Sequence, residues 1–277
     1  MDRPRIALVC SDDALRLDAA RAFDDAPSHW DVTLHRGTPD DADVVVAVGD
    51  EIDGDVRLDL SRPDLVVADV RRRLEGDRSR AVGVVGASGG CGATSVALHI
   101  AAQGSTTTCV VDLHPRPSCA RRLGIDPSDL EHSEAPIPVA GGFRLLWDPG
   151  IAADRVTELR RDFEQLVLDL PRGSVSATSG WCDAVVVVIL PTTASASSAV
   201  ELLATLENTP VALVANRVGP GGETTQAELQ RIVGRRISIQ LPCSPGLRDR
   251  EDDGRLLTSP WSPWLRRVTR LGEALSR

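Results

Sequence analysis

Twelve residues from Val84 to Ser95, VVGASGGCGATS, set closely spaced glycines between an apolar run and a helix-like one. Gly89, Gly90 and Gly92 let a backbone wrap around an anion with its N–H groups pointing inward. A helix opening near Thr94 would add its positive dipole end. The chemistry served by such a loop is phosphate binding. In the pattern G-x-x-x-x-G-K-[ST] a lysine reaches the β/γ-phosphates and a hydroxyl holds Mg²⁺. Here Gly92-Ala93-Thr94 stands where Gly-Lys-Thr would be. Thr94 is in place for Mg²⁺, but the lysine is absent. The absence is global: the 277 residues contain no lysine, and all 31 Lys-plus-Arg positions are arginine. Taken alone, the loop reads equally as a phosphate cradle and as a glycine-rich strand-to-helix turn.

Two carboxylates shift that balance. Val110-Val111-Asp112-Leu113 ends an apolar run on Asp112, and LVLDLPRG (166–173) ends another on Asp169. Carboxylates at the C-terminal ends of parallel strands sit at the ligand-binding edge of such sheets. There they hold Mg²⁺ or its waters and sense a terminal phosphate. Each alone reads as a cap of a helix or turn. In this order behind a glycine loop they read as functional.

The elements that must position these groups follow from hydrophobic periodicity. Strands are expected at Ala81–Val85, Thr108–Asp112, Phe143–Trp147, Gln165–Leu170, Asp183–Leu190, Val211–Asn216 and Ile237–Leu241. Helices are expected at Thr94–Gln103, Ala153–Phe163, Ala194–Leu206, Thr224–Val233 and Pro263–Leu275. Short, nearly continuous Val/Leu/Ile runs alternating with helices predict an α/β fold on a parallel sheet buried on both faces. Gly219-Pro220-Gly221-Gly222 reads as a turn. A smaller α/β module precedes this part, with strands at Arg5–Cys10, Asp31–His35, Asp43–Val48 and Asp64–Val70 and a helix at Ala14–Phe23. The charged stretch Arg71–Arg80 reads as a linker or short helix. The expected domains are 1–76 and 77–277.

With these motifs assembled, the second segment resembles the ParA/MinD family of P-loop ATPases over about residues 80–277. The family's K-G-G-x-G-K-[ST] loop is matched by Ser88-Gly89-Gly90-Cys91-Gly92-Ala93-Thr94, and its strand ending in D-x-D by Asp112-Leu113-His114. The D-x-P-x-G switch is matched by Asp169-Leu170-Pro171-Arg172-Gly173. Val214-Ala215-Asn216-Arg217 resembles the strand whose Asn reads adenine. Gln240-Leu241-Pro242-Cys243-Ser244-Pro245 resembles the last strand, with its proline at a nucleotide-flanking loop. The resemblance implies ATP, or ADP, with Mg²⁺ as cofactors. It implies Ser88–Ser95, Asn216, Arg217 and Pro242 as nucleotide contacts, Thr94 and Asp112 as metal ligands, and Asp112 and Asp169 as switch and Mg²⁺-water groups. It also implies a homodimer. Within the family the chain is most similar to the CpaE/TadZ branch and its actinobacterial septum site-determining (Ssd-like) relatives. These carry a receiver-like module before the ATPase domain and loops of the form G-G-x-G-A-[ST]. Their association with septum regulation, or with placing Tad pilus and secretion machinery, makes protein partners from those systems the expectation.

The departures from the family pattern matter as much. Ser88 stands where a lysine normally crosses a dimer to the partner's nucleotide, and Ala93 where a lysine holds the phosphates of its own subunit. An arginine finger supplies about 10³–10⁵ in rate, so a site without either cation should hydrolyse very slowly. Arg172 reads as a partial substitute or as a solvated loop arginine, and His114 as a weak Mg²⁺-water contact or a surface turn residue. In the first module Asp12 and Asp13 follow the first strand, and Asp50 is the rough candidate for a receiver's acceptor. The lysine that a working receiver needs cannot exist here, so an interaction surface without phosphorelay chemistry is expected. The final helix places Trp264, Leu265, Val268, Leu271 and Leu275 on one face. That face reads either as a cover for the sheet or as a membrane-surface helix.

Charge and composition narrow the classes. The net charge is −9; residues 1–80 hold 12 Arg against 19 acids. A strongly acidic first module argues against broad nucleic-acid affinity. Six irregularly spaced cysteines with no C-x-x-C pair suggest buried free thiols rather than a zinc site or disulfide framework. No apolar run approaches the ~18–20 residues that span a bilayer. No signal-peptide pattern is present, so a cytoplasmic protein, peripheral at most at the inner membrane face, is expected. Three functions remain: a positioning or regulatory protein with a degenerate nucleotide site, a membrane-cycling ATPase using an arginine, and a nucleotide-free scaffold.

Overall fold

The structure is a computed structural model that describes residues 3–23, 30–39, 41–48, 52, 54–58, 66, 70, 73, 79–104, 107–131, 133–206, 209–219 and 224–275. The chain divides into two compact units, Met1–Ser79 with Arg161–Glu164, and Arg80–Arg160 with Gln165–Arg277.

The first unit is built on four parallel strands, β1 (Arg5–Cys10), β2 (Asp31–His35), β3 (Val44–Val48) and β4 (Val56–Arg57), in the order β2-β1-β3-β4. That order belongs to flavodoxin-like doubly wound sheets. The central strands β1 and β3 bury nearly every side chain, as a strand covered on both faces must. Helix α1 (Arg16–Arg21) buries Ala19 against this core. The expected strand at Asp64–Val70 is corrected in part: its two described residues, Val66 and Val70, are helical. Both are buried, at the i, i+4 spacing that puts two residues on one helix face. The acceptor candidate Asp50, most of the stretch Arg71–Arg80 and the turn at 220–223 lie outside the described residues.

The second unit carries an eight-stranded sheet. Its strands are β5 (Arg80–Gly86), β6 (Thr108–Asp112), β7 (Ile137–Pro138), β8 (Arg144–Trp147), β9 (Gln165–Leu170), β10 (Ala184–Ile189), β11 (Val211–Val218) and β12 (Ile239–Pro242). Their order is β12-β11-β10-β5-β9-β6-β8-β7, and every pairing is parallel except β7 with β8. The centre of the sheet is Val/Leu-rich and buried on both faces, which is the pattern that predicted it. Helix α2 (Ala93–Ala102) is buried along almost its whole length, and the final helix (Pro263–Leu275) lies across it. Trp264, Val268, Leu271 and Leu275 of the final helix recur at helical spacing and are buried in the same core as α2. That helix therefore covers the domain with its apolar face. Among the described residues no helix is long and apolar enough to cross a membrane.

Candidate functional site

The glycine loop leaves β5 and turns into α2 in a conformation that only glycine adopts easily. Gly90 has φ 71° and Gly92, the N-cap of α2, has φ 89°. A left-handed N-cap costs a Cβ-bearing residue roughly 1–2 kcal/mol. At Gly92 there is also no room, since a Cβ would lie 2.5 Å from Asn216 Nδ2. Gly89 and Gly90 face open space, with nothing within 4 Å of a built Cβ. No side-chain hydrogen bond caps α2 among the described residues, so its first-turn N–H groups stay available to an anion. A cavity of about 260 Å³ lies against the loop. Ser88, Gly89, Gly90, Ala93, Thr94, His114, Arg122 and Arg172 are among its lining residues.

The loop is pinned from three sides. Ser88 Oγ and Ser195 Oγ are 2.9 Å apart, and Ser195 Oγ also accepts from Leu190 N–H. Arg172 donates to the Ala87 carbonyl at 3.2 Å while its other nitrogen pairs with Glu201 at 2.7 Å. Asn216, 2 % exposed, donates from Nδ2 to the Cys91 carbonyl at 2.8 Å. Its Oδ1 accepts from Trp264 Nε1 at 3.0 Å and from the Arg217 backbone N–H at 2.9 Å. Arg217 is the one non-glycine with positive φ (61°) among the described residues, and the register shifts along β11 between Ala215 and Val218. A second cavity of about 600 Å³ adjoins this bend, within the range of small-molecule sites. Gly92, Ser95, Asn216, Arg217, Pro242 and Trp264 line part of it. Gly92 and Arg122 line both cavities.

The two carboxylates meet at the C-terminal edge of the sheet. Asp112 and Asp169 are register partners on β6 and β9, and both are 0 % exposed. Asp112 accepts from the backbone N–H groups of His114 (3.0 Å) and Cys119 (2.8 Å) and from Ser118 Oγ. Burial, and then the neighbouring Asp169, push its pKa up despite these bonds. Asp169 Oδ2 accepts from Ser118 Oγ at 3.1 Å and lies 3.6 Å from His114 Nε2. The adjacent Asp169 carboxylate holds the His114 pKa above the usual imidazole value, against a smaller opposing effect of burial. Asp169 Oδ1 is buried and has no hydrogen-bond partner among the described residues. An orphaned carboxylate oxygen beside a second buried carboxylate is a place for a cation. Asp112, Asp169 and Cys119 offer ligand atoms within 4.8 Å of one another. Burial followed by the two carboxylates raises the Cys119 thiol pKa well above normal, so without a metal it stays protonated.

The chain thus brings Ser88–Ser95, Asn216, Arg217 and Pro242 around two adjoining cavities and pairs Asp112 with Asp169 beside them. These residues fit a nucleotide and a divalent cation: an open glycine cradle for phosphate, a roomy second cavity, and a buried carboxylate pair with one free oxygen. Several neighbours went unread in the sequence. Arg122 lies near Glu251, with Nε 3.5 Å from Oε2. Burial raises the Glu251 pKa against the opposing influence of Ser95 and Arg122. His99, fully buried, bonds the Ser95 carbonyl through Nδ1 at 2.7 Å and accepts Leu257 N–H at Nε2. These bonds hold it as the neutral Nδ1–H tautomer, and burial lowers its pKa to about 4. The signal for Arg122 was the Arg121-Arg122 pair shortly after the Asp112 strand; the roles of His99 and Trp264 depend on contacts distant in sequence.

This sheet order, loop and carboxylate edge define a P-loop fold of the MinD/ParA type. Solved structures agree. A chain of the MinC:MinD cell division protein complex of Aquifex aeolicus matches with a TM-score of 0.60 at 16% identity, covering 71% of this chain and 95% of that one. The septum site-determining protein MinD of Pyrococcus horikoshii OT3, complexed with Mg-ADP, matches with a TM-score of 0.60 at 16% identity over 71% and 96%. The ATP complex of a McdA point variant from Cyanothece matches with a TM-score of 0.58 at 16% identity over 72% and 96%. No family profile and no curated protein matches the sequence.

Proposed function

We propose that this chain is a MinD/ParA-like positioning or regulatory protein. It binds ATP or ADP with Mg²⁺ at a lysine-less loop and hydrolyses ATP slowly or not at all. The observation that carries this reading is the contrast inside the loop. Its backbone keeps the left-handed glycine cap and open cradle of an anion site, while Ala93 occupies the lysine's position. The Mg-ADP and ATP held by the two solved relatives support the same ligand class. In this reading the N–H groups of the loop and of α2 bind the phosphates, the Thr94 hydroxyl and Asp112 hold the cation, and Asp169 responds to the terminal phosphate. Mg²⁺, when bound, neutralises phosphate charge in a cradle that lacks its own lysine.

The finer reading is a CpaE/TadZ/Ssd-like protein of the septum site or of Tad pilus and secretion machinery. It acts as a homodimer through protein partners, in the cytoplasm or peripherally at the inner face of the membrane. The MinC:MinD complex and the four-stranded parallel first unit support this version. Residues 1–76 are then a degenerate receiver-like module and 77–277 the nucleotide domain. A second reading, an ATPase in which an arginine replaces the lysine, is favoured by Arg122 and Arg172 on the wall of the loop cavity. Turnover abolished by Arg122→Ala or Arg172→Ala would select it.

Calorimetric titration with MgATP tests the main reading. Wild-type protein should bind saturably. Gly89→Glu fits sterically, because a Cβ there meets nothing within 4 Å. It sets a carboxylate in the cradle, and affinity should fall by about tenfold or more. Absence of wild-type binding up to millimolar ATP would leave a nucleotide-free scaffold.

A further inference from the structure

We infer that the carboxylate edge binds a thiophilic divalent metal ion of the zinc class, with Asp112, Cys119 and Asp169 as ligands and His114 completing the set. The inference does not depend on nucleotide binding at the loop. Asp112 and Asp169 are register partners on β6 and β9, and Cys119 follows Asp112 closely in the chain. All three are fully buried, and their donor atoms lie within 4.8 Å of one another. Zn–S bonds of about 2.3 Å and Zn–N and Zn–O bonds of about 2.0–2.2 Å put neighbouring donors of a tetrahedron about 3.3–3.7 Å apart. Asp169 Oδ2 stands 3.7 Å from Cys119 Sγ and 3.6 Å from His114 Nε2. Both separations are edge lengths of such a tetrahedron.

The hydrogen bonding around these groups leaves ligand capacity unused. Asp169 Oδ1 is buried and has no partner among the described residues. A single Ser118 hydroxyl hydrogen faces three carboxylate oxygens, Asp112 Oδ1 at 3.3 Å, Asp112 Oδ2 at 3.2 Å and Asp169 Oδ2 at 3.1 Å, and can serve only one of them well. Buried carboxylate oxygens short of donors call for a positive partner. Outer bonds hold the donors in place, as they do around metal ligands. Asp112 is fixed by the His114 and Cys119 N–H groups, and the His114 carbonyl accepts from Trp147 Nε1 at 2.8 Å. The donor types select the ion. Mg²⁺ takes oxygen ligands and keeps several waters. Sulfur and nitrogen donors beside the carboxylates favour Zn²⁺ and its relatives. On binding, the thiol proton leaves to solvent and the thiolate stays on the metal. The His114 side chain is 31% exposed and lines the cavity against the glycine loop, which gives the ion a way in. The ion shares Asp112 with the Mg²⁺ of the proposed nucleotide site, so the two compete for that carboxylate.

Titration of the metal-stripped full chain with Co²⁺ alone, a spectroscopic stand-in for Zn²⁺, tests this. Co²⁺ should bind saturably, with the visible bands of tetrahedral cobalt and a near-ultraviolet thiolate-to-cobalt charge-transfer band, and Zn²⁺ should displace it. Cys119→Ser should abolish the charge-transfer band, whereas Cys243→Ser, at an exposed cysteine, should leave it unchanged. His114→Ala, at a partly exposed side chain, should weaken binding by about tenfold or more. Absence of cobalt binding, binding without the charge-transfer band, or a band that persists in a folded Cys119→Ser protein would overturn the inference. If Cys119→Ser does not fold, loss of the band in Cys243→Ser or undiminished binding by His114→Ala would overturn it instead. Nucleotide enters none of these measurements, so the nucleotide reading stands or falls separately.

Discussion

The glycine loop and the carboxylate edge beside it depart from the ParA/MinD pattern in opposite ways. On the proposed reading the loop keeps its shape and lacks its cations: Gly90 and Gly92 hold the turn, and Ser88 and Ala93 stand where the resemblance expects lysines. The edge keeps both carboxylates and surrounds them with partners, His114, Ser118 and Cys119. Anion binding at such a site has a backbone part and a charge part, and this chain separates them. The backbone part is tied into the fold, so damage to it should cost stability as well as binding. The charged groups around the loop sit at or near the surface, so their removal should cost stability little.

Breaking the backbone part should have the largest effect. Gly92→Val forces a β-branched residue into φ 89° and drives Cβ onto Asn216. The expected loss is roughly 3–5 kcal/mol, together with nucleotide binding. Urea unfolding monitored by circular dichroism would measure it, and a loss under about 1 kcal/mol would show that the loop is not tied into the fold. The next effect comes from a buried residue of α2 itself. His99 is held neutral in the fold, with its pKa lowered to about 4 from 6.5. The unfolded chain binds that proton as pH falls through about 6.5 and the folded chain only near pH 4. Stability is therefore full above the unfolded value and drains away between the two. The expected total is about 3 kcal/mol. Unfolding of wild type and of His99→Gln at a series of pH values isolates this slope, which should vanish in the variant. The smallest effect belongs to the charge part. Arg172 is 42% exposed in its ion pair with Glu201, so Arg172→Ala should cost no more than about 1 kcal/mol in the same assay.

The parts of the molecule legible in the sequence are those that local pattern determines. Arg5–Cys10, Thr108–Asp112 and Gln165–Leu170 are continuous apolar runs long enough to declare buried strands, and the structure places strands over those same residues. Asp112 and Asp169 could be read because each ends such a run. Two-residue strands at Val56–Arg57 and Ile137–Pro138 carry too little pattern to see. The run at Asp64–Val70 shows the ambiguity of a short apolar stretch: Val66 and Val70 suit a buried strand or one helix face, and the helix prevails. Around the site, glycine spacing revealed the cradle but not what locks it. The Asn216–Trp264 bond spans 48 positions and the His99–Leu257 bond 158. Such pairings arise only once the segment around Leu257 and the final helix have packed against α2 and β11. The apolar face of that helix was visible in the sequence, but only packing decides that it faces the core.

The most direct test of the separation between shape and charge is to return the missing cation. Ala93→Lys places an ammonium at the position of the absent lysine without touching the glycines. Titrated with MgATP beside wild type, it should bind about tenfold to a hundredfold more tightly, the gain of a charge-assisted contact to phosphate. Equal affinity in the two proteins, or binding by neither, would contradict the account of an intact cradle that lacks only its charge.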